Sequence, residues 1–275
     1  MNTFLVPMDF SETSKNAARL AAGIANVVPG SQLVLYNVFD TFEAGSDGSL
    51  LTSDDDARKT ITELALQSVK SELSAITSVP ITMAVEEEHD FLEGLERFIR
   101  HNNIQLVIMG ITGGTKLEQI LVGSTSLSLI DRETVPVMIV PTESQFQGVK
   151  NIMLVSDFDD VEKTIPLRDL KSVLGLFQGN LHIVNVNEKH YIQLTAEYQR
   201  ERDRLERMLS EFNPEFYFIR LHNFMDAINM FVADKNIDLI ITVPKHHSFF
   251  SHVFKGTHTS RLAYKSQIPI IAIHS

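Results

Sequence analysis

The chain has 275 residues, of which 44% are hydrophobic and 21% charged, and a formal net charge of −11 at pH 7. This length allows one large domain or two typical ones, and the acidic balance argues against a nucleic-acid surface, which needs a basic patch. The absence of cysteine excludes disulfides and thiolate metal sites.

No apolar run is long enough to span a bilayer, and the N-terminus lacks the basic region of a signal peptide. We therefore expect a cytoplasmic protein with no membrane or nucleic-acid partner.

The first half of the chain alternates strand-like and helical patterns. The predicted strands are residues 4–8, 33–38, 81–85, 106–109 and 135–140. The predicted helices are residues 16–28, 54–76 and 91–100, with a further helix starting around 123–126. Ser11 is a good N-cap for the first helix. The second helix has an apolar stripe of Ile61, Leu64, Ala65, Val69 and Leu73. This alternation predicts a parallel sheet with helices on both faces.

The second half repeats the same order. Its predicted strands are 152–155, 181–186, 215–220, 239–242 and 268–273, and its predicted helices are 161–176, 193–212 and 225–235. Asp9 corresponds to Asp157 at an offset of 148, and Gly123 to Gly256 at an offset of 133. The difference matches a long loop at 39–53 that the second half lacks. We expect two domains, 1–146 and 147–275, in preference to a single ten-stranded domain.

Each half ends in an uncharged strand that begins with an X-Pro pair, Val135-Pro136 and Ile268-Pro269. A bare apolar edge strand is an aggregation hazard. Two such edges in one chain could cover each other.

A glycine-rich loop follows the fourth strand of the first half. Gly110, Gly113 and Gly114 allow close backbone approach to a ligand, and the helix that begins near Gly123 offers free N–H groups to an anion. Ser124, Thr125 and Ser126 add hydroxyl donors. Neither the P-loop nor the GxGxxG dinucleotide pattern is present. The segment therefore predicts a phosphate site of another kind; the alternative is that the glycines only make turns.

The spacing Gly110-x2-Gly113-x9-Gly123-Ser124 resembles the nucleotide signature of the ATP-binding branch of the universal stress protein (UspA) family. The resemblance extends over both halves. It implies an α/β fold of two tandem doubly wound domains, Rossmann-like and similar to adenine nucleotide alpha-hydrolases, each with a five-stranded parallel sheet flanked by helices. Protomers of that family associate through their last strands, which implies an internal pseudo-dimer here. A homodimer of whole chains is left open.

The resemblance also implies a nucleotide site at the carboxyl ends of the first, second and fourth strands, where open α/β sheets bind ligands. The implied contact residues are Pro7, Met8, Asp9, Val38, Met109, Gly110, Gly113, Gly114, Gly123, Ser124, Thr125 and Ser126. The first four would meet the adenosine, Met109 and Gly110 the ribose and phosphate side, and the last four the β- and γ-phosphates with Mg²⁺ or Mn²⁺ between them.

Some of these residues have simpler explanations. Asp9 could only cap the first helix, and Val38 could be plain core. Lys116, in the glycine loop, is better explained as a solvated lysine than as a phosphate ligand.

The second half departs from the motif. Val243 and His246 replace the first two glycines, with Pro244 between them. Valine resists positive φ, and proline removes an N–H donor. We expect the first half to bind nucleotide, and the second to bind weakly, bind something else or serve as a scaffold.

The same segment is rich in histidine. His246, His247, His252 and His258 could ligate Zn²⁺. No pair has a helical spacing with a carboxylate partner, which favours surface histidines, and we assign no protein metal ligand.

The resemblance therefore implies an ATP-binding universal stress protein that acts as a nucleotide-dependent regulatory protein with an unidentified protein partner. The alternative is an adaptor or scaffold of the same family that binds no nucleotide; a slow ATPase is less favoured. Related ligases carry HxGH or SGGxDS-type loops, and neither occurs here. Phosphoryl transfer needs a positioned base or water-orienting group, and none is identified. We therefore name no catalytic residue and expect at most slow hydrolysis.

Overall fold

In the computed structural model of the chain, the described residues are 2–39, 55–110, 129–130, 132, 134–187, 196–220, 224–243 and 268–274. Within them the strands are β1 (Asn2–Pro7), β2 (Ser31–Phe39), β3 (Ile81–Glu87), β4 (Ile104–Gly110), β5 (Val137–Val140), β6 (Asn151–Val155), β7 (Asn180–Asn187), β8 (Glu215–Arg220), β9 (Leu239–Thr242) and β10 (Ile270–Ala272). The helices are α1 (Glu12–Val27), α2 (Asp55–Leu73), α3 (Phe91–His101), α4 (Val161–Thr164), α5 (Leu167–Phe177), α6 (Ala196–Met208) and α7 (Phe224–Lys235).

The strands of this described part form one ten-stranded sheet in the order β3-β2-β1-β4-β5-β10-β9-β6-β7-β8. Every pair within β1–β5, the first half, and within β6–β10, the second half, is parallel. The two halves meet at β5 and β10, which pair antiparallel. This confirms the predicted α/β class, and the two last strands pair as expected.

Helices cover both faces of the sheet. Successive side chains of β1 point to opposite faces, so β1 contributes to two core clusters. Phe4 and Val6 belong to a cluster packed under α1 and α2, and Leu5 belongs to a second cluster that includes Leu95 and Ile99 of α3. In the second half, α7 covers the face equivalent to that of α3. Two-sided burial explains why the central strands are almost wholly apolar.

Ser11 begins α1 as the sequence predicted. Its hydroxyl accepts a hydrogen bond from the Ser14 N–H at 3.2 Å, and Glu12 in the first turn complements the helix dipole. The buried face of α1 is mostly alanine, so the helix backbone lies close to the sheet.

The apolar stripe predicted for α2 is partly wrong. Leu66, Val69 and Leu73 are buried at helical spacing, whereas Ile61 and Leu64 are 66% and 65% exposed. Two apolar patterns therefore overlap in this helix. The pattern of Leu66, Val69 and Leu73 forms the buried face, and the pattern of Ile61 and Leu64 does not.

The continuous helix predicted over 161–176 is also wrong. The structure has two helices, α4 and α5, separated at Ile165 and Pro166. Proline lacks an N–H and its ring clashes with the preceding turn, so the second helix restarts at Leu167. Among the described residues, no helix has the length and apolar character needed to cross a membrane.

Candidate functional site at the carboxyl ends of β1, β2 and β4

The turn after β1 is organised by Asp9. Its Oδ1 accepts hydrogen bonds from the Ser11 N–H at 3.0 Å and the Ser11 hydroxyl at 2.6 Å. Partial burial raises the pKa of the Asp9 carboxyl, but the hydrogen bonds from Ser11 and Ser14 outweigh it and bring the pKa below its usual value. Phe10, between Asp9 and Ser11, has φ +62°, in the left-handed region that few non-glycine residues adopt. The result is a tight turn that presents an ionised carboxylate.

Asp9 supports the start of α1 indirectly. The N-cap is Ser11, whose hydroxyl also lies 2.9 Å from that of Thr13. Asp9 braces this cap through Ser11, so it has a structural role in addition to any contact with a ligand.

At the end of β2, Val38 is half-buried and packs against the cluster under α3, while its backbone pairs with Glu86 of β3. Its side chain is therefore partly core, and the strand runs one residue beyond it to Phe39.

Asn37, beside it, was not identified from the sequence. Its Nδ2 donates to the Met8 carbonyl oxygen at 2.6 Å, across from β2 to the end of β1. A polar side chain near the carboxyl end of a predicted strand was the available signal.

At the end of β4, Gly110 lies against the first turn of α1. A Cβ added at Gly110 would be 2.3 Å from the carbonyl oxygen of Thr13 and 3.1 Å from the backbone nitrogen of Ser14. No side chain fits there, so this glycine lets β4 and α1 approach closely. The last residue of β4 therefore lies directly beside the start of α1, which follows the Asp9 turn.

The structure brings six of the predicted site residues together at the carboxyl ends of β1, β2 and β4: Pro7, Met8, Asp9, Val38, Met109 and Gly110. The side chains of Met8 and Met109 are buried in the two core clusters, so any ligand contact from them would come from the backbone. The remaining predicted positions lie outside the described residues: Gly113, Gly114, Lys116, Gly123, Ser124, Thr125, Ser126, Pro244, His246, His247, His252, Gly256, Thr257 and His258.

The turn after β6 repeats that after β1, each residue 148 positions further on. Asp157 Oδ1 accepts from the Asp159 N–H at 3.1 Å, and Phe158 has φ +53°. Asn185 Nδ2 donates to the Ser156 carbonyl at 2.8 Å. The predicted correspondence of Asp9 with Asp157 therefore extends to hydrogen bonds that the offset alone does not specify.

The second turn differs in how its central phenylalanine packs, although Asp157 is exposed as Asp9 is. Phe158 is only 3% exposed, and its ring lies 5.3 Å from Tyr198, 6.0 Å from Phe216 and 5.6 Å from Phe218 between centroids. In the first half, Phe10 is half-buried. Burial, together with the charge of Asp157, raises the pKa of the Tyr198 hydroxyl, so this tyrosine stays neutral. Aromatic side chains of the chain itself thus pack around the second turn.

No group of three or more histidine, aspartate or glutamate side chains in the described ranges is placed to hold a metal ion.

A five-stranded parallel half-sheet with helices on both faces defines a doubly wound α/β class. The sequence model of the universal stress protein family matches residues 1–141 of this chain. The chain belongs to the universal stress protein family.

Two curated relatives come from Methanocaldococcus jannaschii. Universal stress protein MJ0577 is 26% identical over 153 residues, covering 50% of this chain and 92% of that protein. Universal stress protein MJ0531 is 27% identical over 143 residues, covering 50% of this chain and 79% of that protein.

Among solved structures, a universal stress protein from Archaeoglobus fulgidus superposes with a TM-score of 0.70 at 19% identity, over 99% of this chain and 98% of that one. At this identity the likeness shows that the fold is shared over both halves.

Proposed function

We propose that the chain binds ATP at the carboxyl ends of β1, β2 and β4, and that nucleotide occupancy regulates its contact with a protein partner. The observation that carries this proposal is the meeting of the Asp9 turn, the end of β2 and Gly110 at one edge of the sheet. The glycine motif of the ATP-binding branch begins at this Gly110.

The chemistry of the described residues suits the adenosine end of a nucleotide. The Asp9 carboxylate is held ionised, and an ionised carboxylate accepts hydrogen bonds from ribose hydroxyls. The backbone of Val38, at the end of β2, is proposed to meet the base edge. Pro7, Met8 and Met109 would contribute backbone surface around them.

The phosphates are assigned to Gly113, Gly114, Gly123, Ser124, Thr125 and Ser126. Mg²⁺ or Mn²⁺ would be held mainly by the phosphates, as Mg²⁺ is when few carboxylates are available. We assign no catalytic residue, and any hydrolysis is expected to be slow.

We further propose domain boundaries at 1–146 and 147–275, with a single nucleotide site in the first domain. Val243 and His246, which replace two of the motif glycines, speak against a second site. We place the protein in the cytoplasm, consistent with its lack of cysteine. A non-nucleotide-binding adaptor is the second candidate, and the loss of the motif glycines from the second half is the observation that favours it.

The test is mass spectrometry of nucleotide released from the purified protein, followed by calorimetric titration with ATP. We expect one ATP per chain in the wild type, lost in Gly113→Val and weakened in Asp9→Ala. Asp157→Ala is the matched control and should leave binding unchanged. Two nucleotides per chain would refute the single site, and no binding of added ATP would favour the adaptor.

A further inference from the structure

Asn37 joins the ends of the two strands on which the proposed adenosine site is built. Its Nδ2 donates to the Met8 carbonyl at 2.6 Å, while the Met8 N–H donates to the Tyr36 carbonyl at 2.8 Å. Regular pairing of β1 with β2 ends at Pro7 and Tyr36. The side chain of Asn37 therefore continues the strand ladder by one residue and holds both polar groups of the Met8 backbone.

Fixing the Met8 carbonyl fixes the direction in which Asp9 starts, because the two residues share a planar peptide unit. The next residue, Phe10, is in the left-handed region at φ +62°. Such a conformation persists only where the surroundings hold it. Asn37 supplies that support from one side, and Ser11 supplies it from the other through the Asp9 carboxylate.

Asn37 also immediately precedes Val38. One residue thus links the strand proposed to meet the base edge with the turn proposed to meet the ribose. A change in the Asn37 hydrogen bond would alter the distance and angle between these two parts of the site.

The second half contains the same hydrogen bond. Asn185 donates to the Ser156 carbonyl at 2.8 Å, but Asn185 is buried, 6% exposed, whereas Asn37 is half-buried. The carboxylates of the two turns, Asp9 and Asp157, are both exposed. The shared bond indicates a role in holding the turn, and the glycine motif, which only the first half carries in full, singles out Asn37 as the copy beside the proposed nucleotide site.

We propose that Asn37 is a positioning residue of the nucleotide site, which sets Met8 and Asp9 in place for the adenosine end of the ligand. This proposal rests on the proposed ATP site. Asn37 acts through the backbone of Met8 and does not itself touch the nucleotide.

The test uses a matched pair of isosteric variants, Asn37→Asp and Asn185→Asp. Each replaces the donating amide by a carboxylate that faces a carbonyl oxygen, so each loses the hydrogen bond with little change of shape. The dissociation constants for ATP and for adenosine and the midpoint of thermal unfolding are measured for both variants and the wild type. Gly113→Val is included as a variant of the phosphate end.

Asn37→Asp should weaken ATP and adenosine by the same factor, about tenfold, which corresponds to one hydrogen bond. Asn185→Asp should lower the unfolding midpoint as well but leave both dissociation constants unchanged. Gly113→Val should weaken ATP and leave adenosine unchanged. Asn37→His keeps an N–H donor near the Met8 carbonyl, so its dissociation constants should be closer to those of the wild type than to those of Asn37→Asp. This variant also keeps the test available if Asn37→Asp does not fold.

Equal dissociation constants for Asn37→Asp and the wild type would overturn the positioning role while leaving the ATP site intact. Weakened ATP with unchanged adenosine would also overturn it, because the effect would lie at the phosphate end. A wild type that binds neither ligand would refute the proposed function itself, and the positioning role with it.

Discussion

Met138 lies directly opposite Ile271 where β5 and β10 pair antiparallel. The two residues are equivalent in the two halves, 133 positions apart, which is the offset that the repeat predicts. On either side of them, Val137 faces Ala272 and Ile139 faces Ile270. The pairing is therefore symmetric about a local twofold axis that passes between Met138 and Ile271. Each half covers the apolar last strand of the other, which removes two edges prone to aggregation.

The first prediction concerns this junction. Met138 is 1% exposed, so Met138→Ala should leave a cavity and lower the free energy of unfolding by about 2–5 kcal/mol. Urea denaturation followed by circular dichroism measures the change. Met230→Ala is the matched control, because Met230 is 64% exposed on α7, and it should change stability by less than about 0.5 kcal/mol. Equal effects of the two substitutions would contradict the buried junction.

The second prediction concerns Gly110. Gly110→Ala places a methyl group 2.3 Å from the Thr13 carbonyl oxygen, and this contact is with backbone that cannot move aside easily. We expect a loss of about 1–3 kcal/mol of unfolding free energy, together with weaker ATP binding as β4 and α1 separate.

Gly175→Ala serves as its control. A Cβ at Gly175, in α5, would meet nothing within 4 Å, so alanine should raise stability by up to about 1 kcal/mol through helix propensity. A neutral or stabilising Gly110→Ala, measured in the same denaturation series, would show that the close approach is absent.

The repeat and the joining of the halves could be predicted because both follow from patterns along the chain. The offsets of 148 and 133 align every strand, and the X-Pro openings mark the two last strands. Ser11 was likewise predictable as a cap, because a cap acts within one turn of its own helix.

Other features depend on contacts between distant residues. Asn37 acts on Met8 from 29 positions away, and no local pattern indicates that bond. Gly110 was noted as a glycine of a phosphate motif, whereas its structural requirement comes from α1. Which face of α2 is buried depends on the sheet beneath it, so Ile61 and Leu64 of the predicted apolar stripe are exposed.

The third prediction concerns the linker between the two halves, residues 141–150, which packs along α1. Asn16 Nδ2 donates to the carbonyls of Pro141 at 3.2 Å and Ser144 at 3.1 Å. Further along, a Cβ at Gly23 would lie 2.8 Å from the ring of Phe146. Gly23→Ala should therefore destabilise the wild type by about 1–2 kcal/mol, because Phe146 must shift.

In the Phe146→Gly background the sign should reverse. The Phe146 Cβ also lies 2.9 Å from the added Cβ, so both it and the ring must be removed; Gly23→Ala then gains helix propensity and should stabilise the protein by about 0.5–1 kcal/mol. A double-mutant cycle measured by urea denaturation isolates this coupling. Additive effects would mean that the linker does not pack on α1 in solution.

The fourth prediction concerns His182, a histidine of β7 that is only 7% exposed. Its Nδ1 lies 3.5 Å from the Glu215 carboxylate and its Nε2 3.4 Å from Asn151 Oδ1. Burial lowers the pKa of His182 below its ordinary value of 6.5; Lys235 also lowers it, and Glu215 opposes the shift without reversing it. The folded protein therefore keeps this histidine neutral at pH values where the unfolded chain already binds a proton.

Because the unfolded state then holds more protons than the folded state, the free energy of unfolding should fall as the pH drops below about 6.5, and this contribution should be fully present above that pH. Urea midpoints measured between about pH 7.5 and pH 5 should show this decline in the wild type. His182→Leu should reduce its slope, since it removes the titrating group. His101→Leu, at an exposed position in α3, is the control and should keep the wild-type slope. If His182→Leu and the wild type lose stability equally over this range, the decline arises from other groups and His182 is not the buried neutral histidine described.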